Sequence, residues 1–153
     1  MKITSPAFSE GEKIPSKFTC EGDDINPELH FKNVPLEAKT LVLIVDDPDV
    51  PASVRKEQMW DHWVVFNIPP RTKKIGENCP PFATAGRNTG GGLEYQGPCP
   101  PDREHRYFFK LYALDRERPL PKGATKAEIE RAMQGHILAQ AVLMGRYEKH
   151  SPS

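Results

Sequence analysis

Three runs of apolar residues dominate the chain. Thr40 to Val45 is continuous and rich in β-branched residues, which predicts a central strand covered on both faces. His62 to Ile68 is the second run, closed by Pro69-Pro70. The third, Tyr107 to Leu114, alternates: Tyr107, Phe109, Leu111 and Ala113 share one face, and Phe108, Lys110, Tyr112 and Leu114 the other. Weaker patterns flank these. Leu29 to Lys32 predicts a short strand with Leu29 and Phe31 inward and His30 outward, and residues 7 to 22 predict one or two short strands. Ala139 to Tyr147 alternates through Ala141, Leu143, Gly145 and Tyr147, which predicts a final strand. One helix is predicted: Thr125 and Glu128 have capping-box spacing, Ile129, Ala132 and Met133 form a stripe, and Gly135 is a stop.

Between the strong runs the chain is punctuated. Asp46-Asp47-Pro48-Asp49-Val50-Pro51 follows the first; its prolines hold the residues before them extended and forbid a helix. Residues 52 to 59 read as a loop. Residues 71 to 106 form a long irregular stretch with Gly90-Gly91-Gly92 and Gly97-Pro98-Cys99-Pro100-Pro101, and ordered stretches of this length usually carry function. Sixteen prolines and eleven glycines dispersed between apolar runs point to a loop-rich β fold, with residues 1–153 as a single domain.

Charge and cysteine usage narrow the functional classes. The chain has 21 basic and 21 acidic residues, which gives no basic footprint for nucleic acid and no polybasic membrane patch. No apolar run is long enough for a signal peptide or a membrane span, so a soluble, cytoplasmic protein is expected. Cys20, Cys79 and Cys99 are too few for a disulfide scaffold; reduced thiols are expected, with no disulfide required for folding, and Cys20–Cys99 pairing is the alternative under oxidising conditions.

Candidate chemistry gathers at strand ends. Asp47 follows the first strong strand, with Asp49 two residues on; His62 opens the second, and His105 precedes the third. Antiparallel pairing lets Asp47 approach His62, where a carboxylate would fix the imidazole tautomer and favour its charged form. A metal site from Asp47, Asp49, His62 and His105 is chemically possible but lacks tight ligand spacing, and no cofactor is expected. The triple glycine lacks the lysine and Ser/Thr of a P-loop. The residues read as a binding or regulatory module; the alternative is a hydrolase using the His/Asp pair, with Cys99 as a less favoured nucleophile.

Several segments in order carry a resemblance: Phe18-Thr19-Cys20-Glu21-Gly22, Asp46-Asp47-Pro48-Asp49, His62 to Pro69, Tyr95 to Pro101, His105-Arg106-Tyr107 and Gly135 to Ala141. Together the chain resembles the phosphatidylethanolamine-binding protein family, in its prokaryotic Raf-kinase-inhibitor-like branch. Departures fall at Asn88-Thr89 and the triple glycine. The resemblance implies a mainly β fold, two antiparallel sheets in a sandwich-like arrangement with a helix near the C-terminus. It implies a pocket of Asp47, Asp49, His62, Gly97, Pro100, His105 and Tyr107 for phosphate, phosphoethanolamine or acetate-like anions. It also implies a homodimer, and serine-protease inhibition or protein-kinase regulation as activities. In such a pocket both histidines would be charged donors beside backbone N–H groups of the Gly97 loop and the Tyr107 hydroxyl. Asp47 would charge His62, so His62→Ala would cost affinity and stability, and His105→Ala mainly affinity.

Overall fold

The structure is a computed structural model that describes residues 1–117 and 119–150. Among the described residues, eight strands and one α-helix follow in order: β1 (Lys2–Thr4), β2 (Leu29–Lys32), β3 (Thr40–Asp47), β4 (Trp60–Ile68), β5 (Lys74–Ile75), β6 (Thr84–Ala85), β7 (His105–Leu114), α1 (Lys126–Met133) and β8 (Ile137–Tyr147). They form a three-stranded sheet, β1-β2-β5, and a five-stranded sheet, β6-β4-β3-β7-β8, with antiparallel neighbours throughout. The expected mainly β fold with two antiparallel sheets and a helix near the C-terminus is what the chain adopts. No helix among the described residues is long and apolar enough to cross a membrane.

β3 is the axis of the molecule, and all eight of its residues are buried. Leu41, Leu43 and Val45 face one core with Phe31, Trp63, Val65, Phe109 and Leu111. Val42 and Ile44 face a second core with Val64, Phe66, Leu114, Ile129 and Met133, where α1 covers the sheet. The same alternation sends the two acids that end the strand to opposite sides. Asp46 goes to the helix side, where its Oδ2 accepts from Lys110 Nζ at 2.9 Å and Lys126 Nζ at 2.8 Å. Asp47 goes to the other side.

The strong strands run longer than their apolar cores. β3 ends at Asp47 and β7 begins at His105, because polar residues that read as loop are buried and paired there, and β4 begins at Trp60, where Asp47 and Asp46 pair with Trp60 and Asp61. Residues 7 to 22 are a correction: they hold a 3-10 turn, Ser16–Phe18, and no strand of their own. Residues 11 to 14 instead lie along the end of β8. Gly11 N–H donates to Met144 O and Ile14 N–H to Arg146 O, each at 2.8 Å, before Pro15 ends the run. In the long irregular stretch, β5 and β6 have two residues each. Asn88 holds the triple glycine: its Oδ1 accepts from Gly92 N–H at 2.9 Å and its Nδ2 donates to Glu94 O at 2.9 Å, with Gly91 at φ +90°.

The helix start is as predicted. Thr125 accepts from Glu128 N–H while Glu128 accepts from Thr125 N–H, and Gly135 follows the helix at φ +80°. Thr125→Ala leaves the Glu128 N–H to water and is expected to cost about 1 kcal/mol. A urea-melt midpoint shift corresponding to no loss would show that the cap contributes nothing.

Candidate functional site

The ends of β3, β4 and β7 converge on a cleft of about 220 Å³. Its polar members are Asp47, His62, Gln96, His105 and Tyr107; Val50, Val54, Trp60, Pro100 and Pro101 supply apolar wall. A larger open groove of about 860 Å³ lies between residues 31–39 and 70–73, but none of the buried unpartnered polar atoms is in it.

His105 is the most tightly held group. It is 1% exposed. Its Nδ1 donates to Asp47 Oδ2 at 2.7 Å and its Nε2 to Asp102 Oδ1 at 2.6 Å. A neutral imidazole has one N–H, so it would leave one carboxylate facing a lone pair. Burial disfavours the charged ring, but hydrogen bonds and charge from the two carboxylates outweigh it and raise its pKa. His105 is therefore an imidazolium with no free nitrogen.

His62 is the opposite case. Its Nδ1 sits 2.7 Å from Gln96 O, a carbonyl that can only accept, so this nitrogen carries the proton. Burial lowers its pKa, against the carbonyl bond and the charges of Asp47, Asp46 and Asp61. Nε2 is then a bare lone pair, and it is buried without a partner. Beside it lies Tyr107, whose hydroxyl is also buried and unpartnered. The Tyr107 ring meets His62 edge-on at 5.2 Å and stacks on His105 at 6.4 Å. Burial first, then the nearby Asp47 charge, pushes the Tyr107 pKa far up, so the group remains an O–H donor.

Several expectations need correction. Asp47 orients His105 and not His62. β3 has two antiparallel neighbours, and the register Asp46↔Phe108 places Asp47 beside the start of β7, whereas on β4 it faces Trp60. The histidines are not two charged donors: one is charged and spent, the other neutral and an acceptor. Asp49 does not line the cleft. It is engaged by Arg106 through Nε, Nη2 and the backbone N–H at 2.8–2.9 Å, and those hydrogen bonds lower its pKa. Its own N–H donates to Asp47 Oδ1 at 2.7 Å and so helps fix that carboxylate. Gly97 is in the wall, but its N–H donates to Asp24 Oδ1 at 2.7 Å and is not free for a ligand. A side chain there would collide with Asp24 and with the Phe18 carbonyl, so only glycine fits. Pro100 is in the wall as expected.

The expectation of reduced thiols at Cys20 and Cys99 is corrected, and the alternative pairing is the one found. Cys20 and Cys99 form a disulfide with Cα atoms 5.4 Å apart, and Cys79 is free and exposed. The bond joins the 3-10 turn region to the cleft wall. Three hydrogen bonds accompany it: Cys20 N–H to Pro98 O at 3.1 Å, Tyr95 Oη to Phe18 O at 2.7 Å, and the Gly97–Asp24 contact. Cys99 is thus not a nucleophile in this state. Sequence reasoning missed Asp102, Gln96 and Trp60. Asp102 lies three residues before His105, a spacing that could have flagged it. Gln96 accepts from Trp60 Nε1 at 3.0 Å and presents its carbonyl to His62, a backbone role that leaves little trace in sequence.

Comparison with known proteins places this geometry. Residues 4–148 match the sequence model of the family described as Phosphatidylethanolamine-binding protein. A UPF0098 protein of Chlamydia trachomatis is 52% identical over 149 residues, covering 97% of this chain and 99% of that protein. A UPF0098 protein of Methanothermobacter thermautotrophicus is 46% identical over 155 residues, with 97% and 99% covered. Among solved structures, a phosphatidylethanolamine-binding protein homologue from Chlamydia trachomatis superposes with a TM-score of 0.94 at 51% identity, over 97% of both chains. E. coli YbcL, described as a new member of the mammalian family, superposes at 0.86 and 29% identity, over 97% of this chain and 98% of its own. The whole length of the match, and the two sheets that carry it, make this chain a prokaryotic member of the phosphatidylethanolamine-binding protein family.

Proposed function

We propose that the cleft is a binding site for a singly protonated phosphate group, free or on a small phosphomonoester head group, and that the protein acts as a ligand-binding regulatory module. One observation carries the reading: a buried acceptor, His62 Nε2, and a buried donor, the Tyr107 hydroxyl, both unpartnered, line one small cleft. Buried polar atoms normally have partners. A phosphate monoanion supplies both: its P–OH donates to His62 and a P–O⁻ accepts from Tyr107. A dianion would need His62 to take up a proton, so one proton accompanies the ligand in either case. The carboxylates of Asp47 and Asp102 share one cationic ring and disfavour a second negative charge on the ligand. Asp102, exposed next to Pro101 and bonded to His105, suits an ammonium group on an ethanolamine-like ligand.

The hydrolase alternative is less well supported. A general base needs an accessible nitrogen near its substrate. His105, the histidine of the His/Asp pair, has none while Asp102 stays bound, and Cys99 is in a disulfide; His62 Nε2 is free, but its ring is held by a backbone carbonyl and not by a carboxylate. The serine-protease and protein-kinase partners that the resemblance implies rest on that resemblance alone.

The test is calorimetric titration with phosphate and with sulfate at pH 6 and pH 8. Affinity for phosphate should be on the order of micromolar to millimolar for so small a ligand. It should strengthen as pH falls, since the free-state His62 pKa lies below its ordinary value and the second phosphate ionisation of an ester lies near pH 6. Sulfate has no proton to give at either pH and should bind more weakly. Tyr107→Phe removes one hydrogen bond and should weaken phosphate about 5-fold to 10-fold; His62→Ala should do at least as much. Wild-type affinity in both variants, or sulfate binding as tightly as phosphate at pH 8, overturns the proposal.

A further inference from the structure

We propose that the open groove beside the start of β3 docks an acidic segment of a partner protein, a short extended stretch in which acids flank an apolar residue.

The even count of acids and bases over the whole chain hides a local excess. Residues 29–39 and 69–75 hold five basic residues and a single acid, Glu37. Lys32, Lys39, Arg71 and Lys73 line the groove of about 860 Å³, and Glu37 is not in its wall. All four cations are exposed, and among the described residues none of them has an ion-pair partner. By contrast, Lys110 and Lys126 are matched by Asp46, Arg106 by Asp49 and Arg146 by Glu104. Four unmatched cations around one hollow repel one another and give it a positive field, which an incoming anion relieves.

Between the charges the lining is apolar. Phe31 and Ala38 are buried there, and Val34, Pro35 and Pro70 are half-buried. Leu36, in the same lining, is 99% exposed, so it gains from any partner that covers it. The two walls are shaped by turns: Ala38 N–H donates to Pro35 O at 3.1 Å, and Thr72 N–H to Pro69 O at 3.0 Å. Proline in both turns restricts the free chain, which lowers the ordering cost of binding.

A segment of chain suits this shape better than a flat or a stacked partner does. A membrane surface would meet Leu36 and the cations but not Phe31 or Ala38, which are buried. Single-stranded nucleic acid stacks its bases on exposed aromatic rings, and the aromatic residue of the lining, Phe31, offers no exposed face. A peptide brings carboxylates to the cations and one apolar side chain to the hollow. The volume of about 860 Å³ lies within the roughly 300–1,000 Å³ usual for preformed ligand sites. The groove is also separate from the cleft. Lys39 precedes β3 and Pro70 follows β4, whereas Asp47 ends β3 and Trp60 opens β4 at the cleft. The two sites thus lie at opposite ends of the same strands, about 25 Å apart, and this inference does not rest on the phosphate reading.

The probe is a fluorescent, end-blocked peptide, Asp-Glu-Leu-Phe-Glu-Asp, followed by anisotropy. It should bind saturably at low salt, with a Kd on the order of 10–100 μM, and weaken at least about 5-fold when salt screens the exposed charges. The neutral analogue Asn-Gln-Leu-Phe-Gln-Asn should not bind. Lys39→Glu with Arg71→Glu should weaken the acidic peptide about 10-fold or more, and Leu36→Ser about 5-fold. Lys13→Glu with Lys56→Glu makes the same change in net charge at exposed positions away from the groove and should leave binding close to wild type. All these positions are exposed, so circular dichroism should be unchanged. Equal binding of the neutral analogue, wild-type affinity in either groove variant, or an equal loss in the control pair would each overturn the proposal. So would capture by vesicles of phosphatidylglycerol and phosphatidylcholine with no binding of the peptide, which would make the partner a membrane. Phosphate titration of the groove variants should match wild type, which keeps this reading apart from that of the cleft.

Discussion

His105→Ala is expected to cost about 3–5 kcal/mol, because it strands the buried Asp47 carboxylate without its cation. That is a large share of a typical domain stability of about 5–15 kcal/mol. His62→Ala should cost clearly less, since His62 is neutral and loses one carbonyl bond and its packing. The two histidines thus exchange the roles expected from sequence: His105 holds the fold and His62 receives the ligand. Urea unfolding of both variants at pH 7 measures the difference, and equal losses would refute the assignment. The pH dependence has a definite sign. The folded pKa of His105 is raised, so its contribution is complete below the ordinary value of about 6.5 and is lost as pH rises through the folded value. For Asp102, burial works against the charge but the bond from His105 prevails and lowers its pKa. Its contribution is present above the ordinary carboxylate value and is lost as pH falls through the folded one. Stability from this cluster should therefore peak between the two and decline on either side.

Removing the disulfide is the second large effect. Cys20 and Cys99 are 79 residues apart, and the chain-entropy model gives about 4.5 kcal/mol for closing a loop of that length. Cys20→Ala with Cys99→Ala should lose about that much stability. Phosphate affinity should change little, because the three hydrogen bonds between the same two segments still hold the wall. Thiol counting on the native protein purified without reductant should find one reactive thiol, Cys79. Three reactive thiols, with melts indifferent to reductant, would show that the bond does not form.

What could be read from sequence, and what could not, divides along physical lines. Periodicity located β3, β4, β7, β8 and α1, since burial on one or both faces is written directly into the residue order. It misplaced their ends. Asp46, Asp47 and His105 read as loop because charge normally marks solvent, and nothing local says that Lys110, Lys126 or Asp102 will neutralise them. Asp47, His62 and His105 were legible as groups at strand ends, and Gly97, Pro100 and Tyr107 were placed in the cleft only through the family resemblance. Pairing within the cleft was not legible. Whether Asp47 meets His62 or His105 depends on which neighbour of β3 lies in reach, and that is a matter of strand order. The state of His62 rests on a backbone carbonyl at Gln96, which no side-chain pattern announces. Asp49 was assigned to the cleft through the family resemblance, but Arg106 engages its carboxylate.

The adjacent acids at the end of β3 have a consequence for how the sheet assembles. Asp46 and Asp47 point to opposite faces, and each face holds its own cations: Lys110 and Lys126 for one, His105 for the other. If β3 docked one position out, every side chain on it would change faces. A shift one way would bring Asp46 to His105 and leave the two lysines facing Val45. A shift the other way would bring Asp47 to the lysines and leave the imidazolium facing Pro48. Apolar residues on both faces of β3 make a slipped strand nearly as greasy as the correct one, so hydrophobicity alone discriminates poorly. The doubled acid works like a parity check: only one alignment satisfies both digits, and every single-step error is flagged by a buried charge with nothing opposite it.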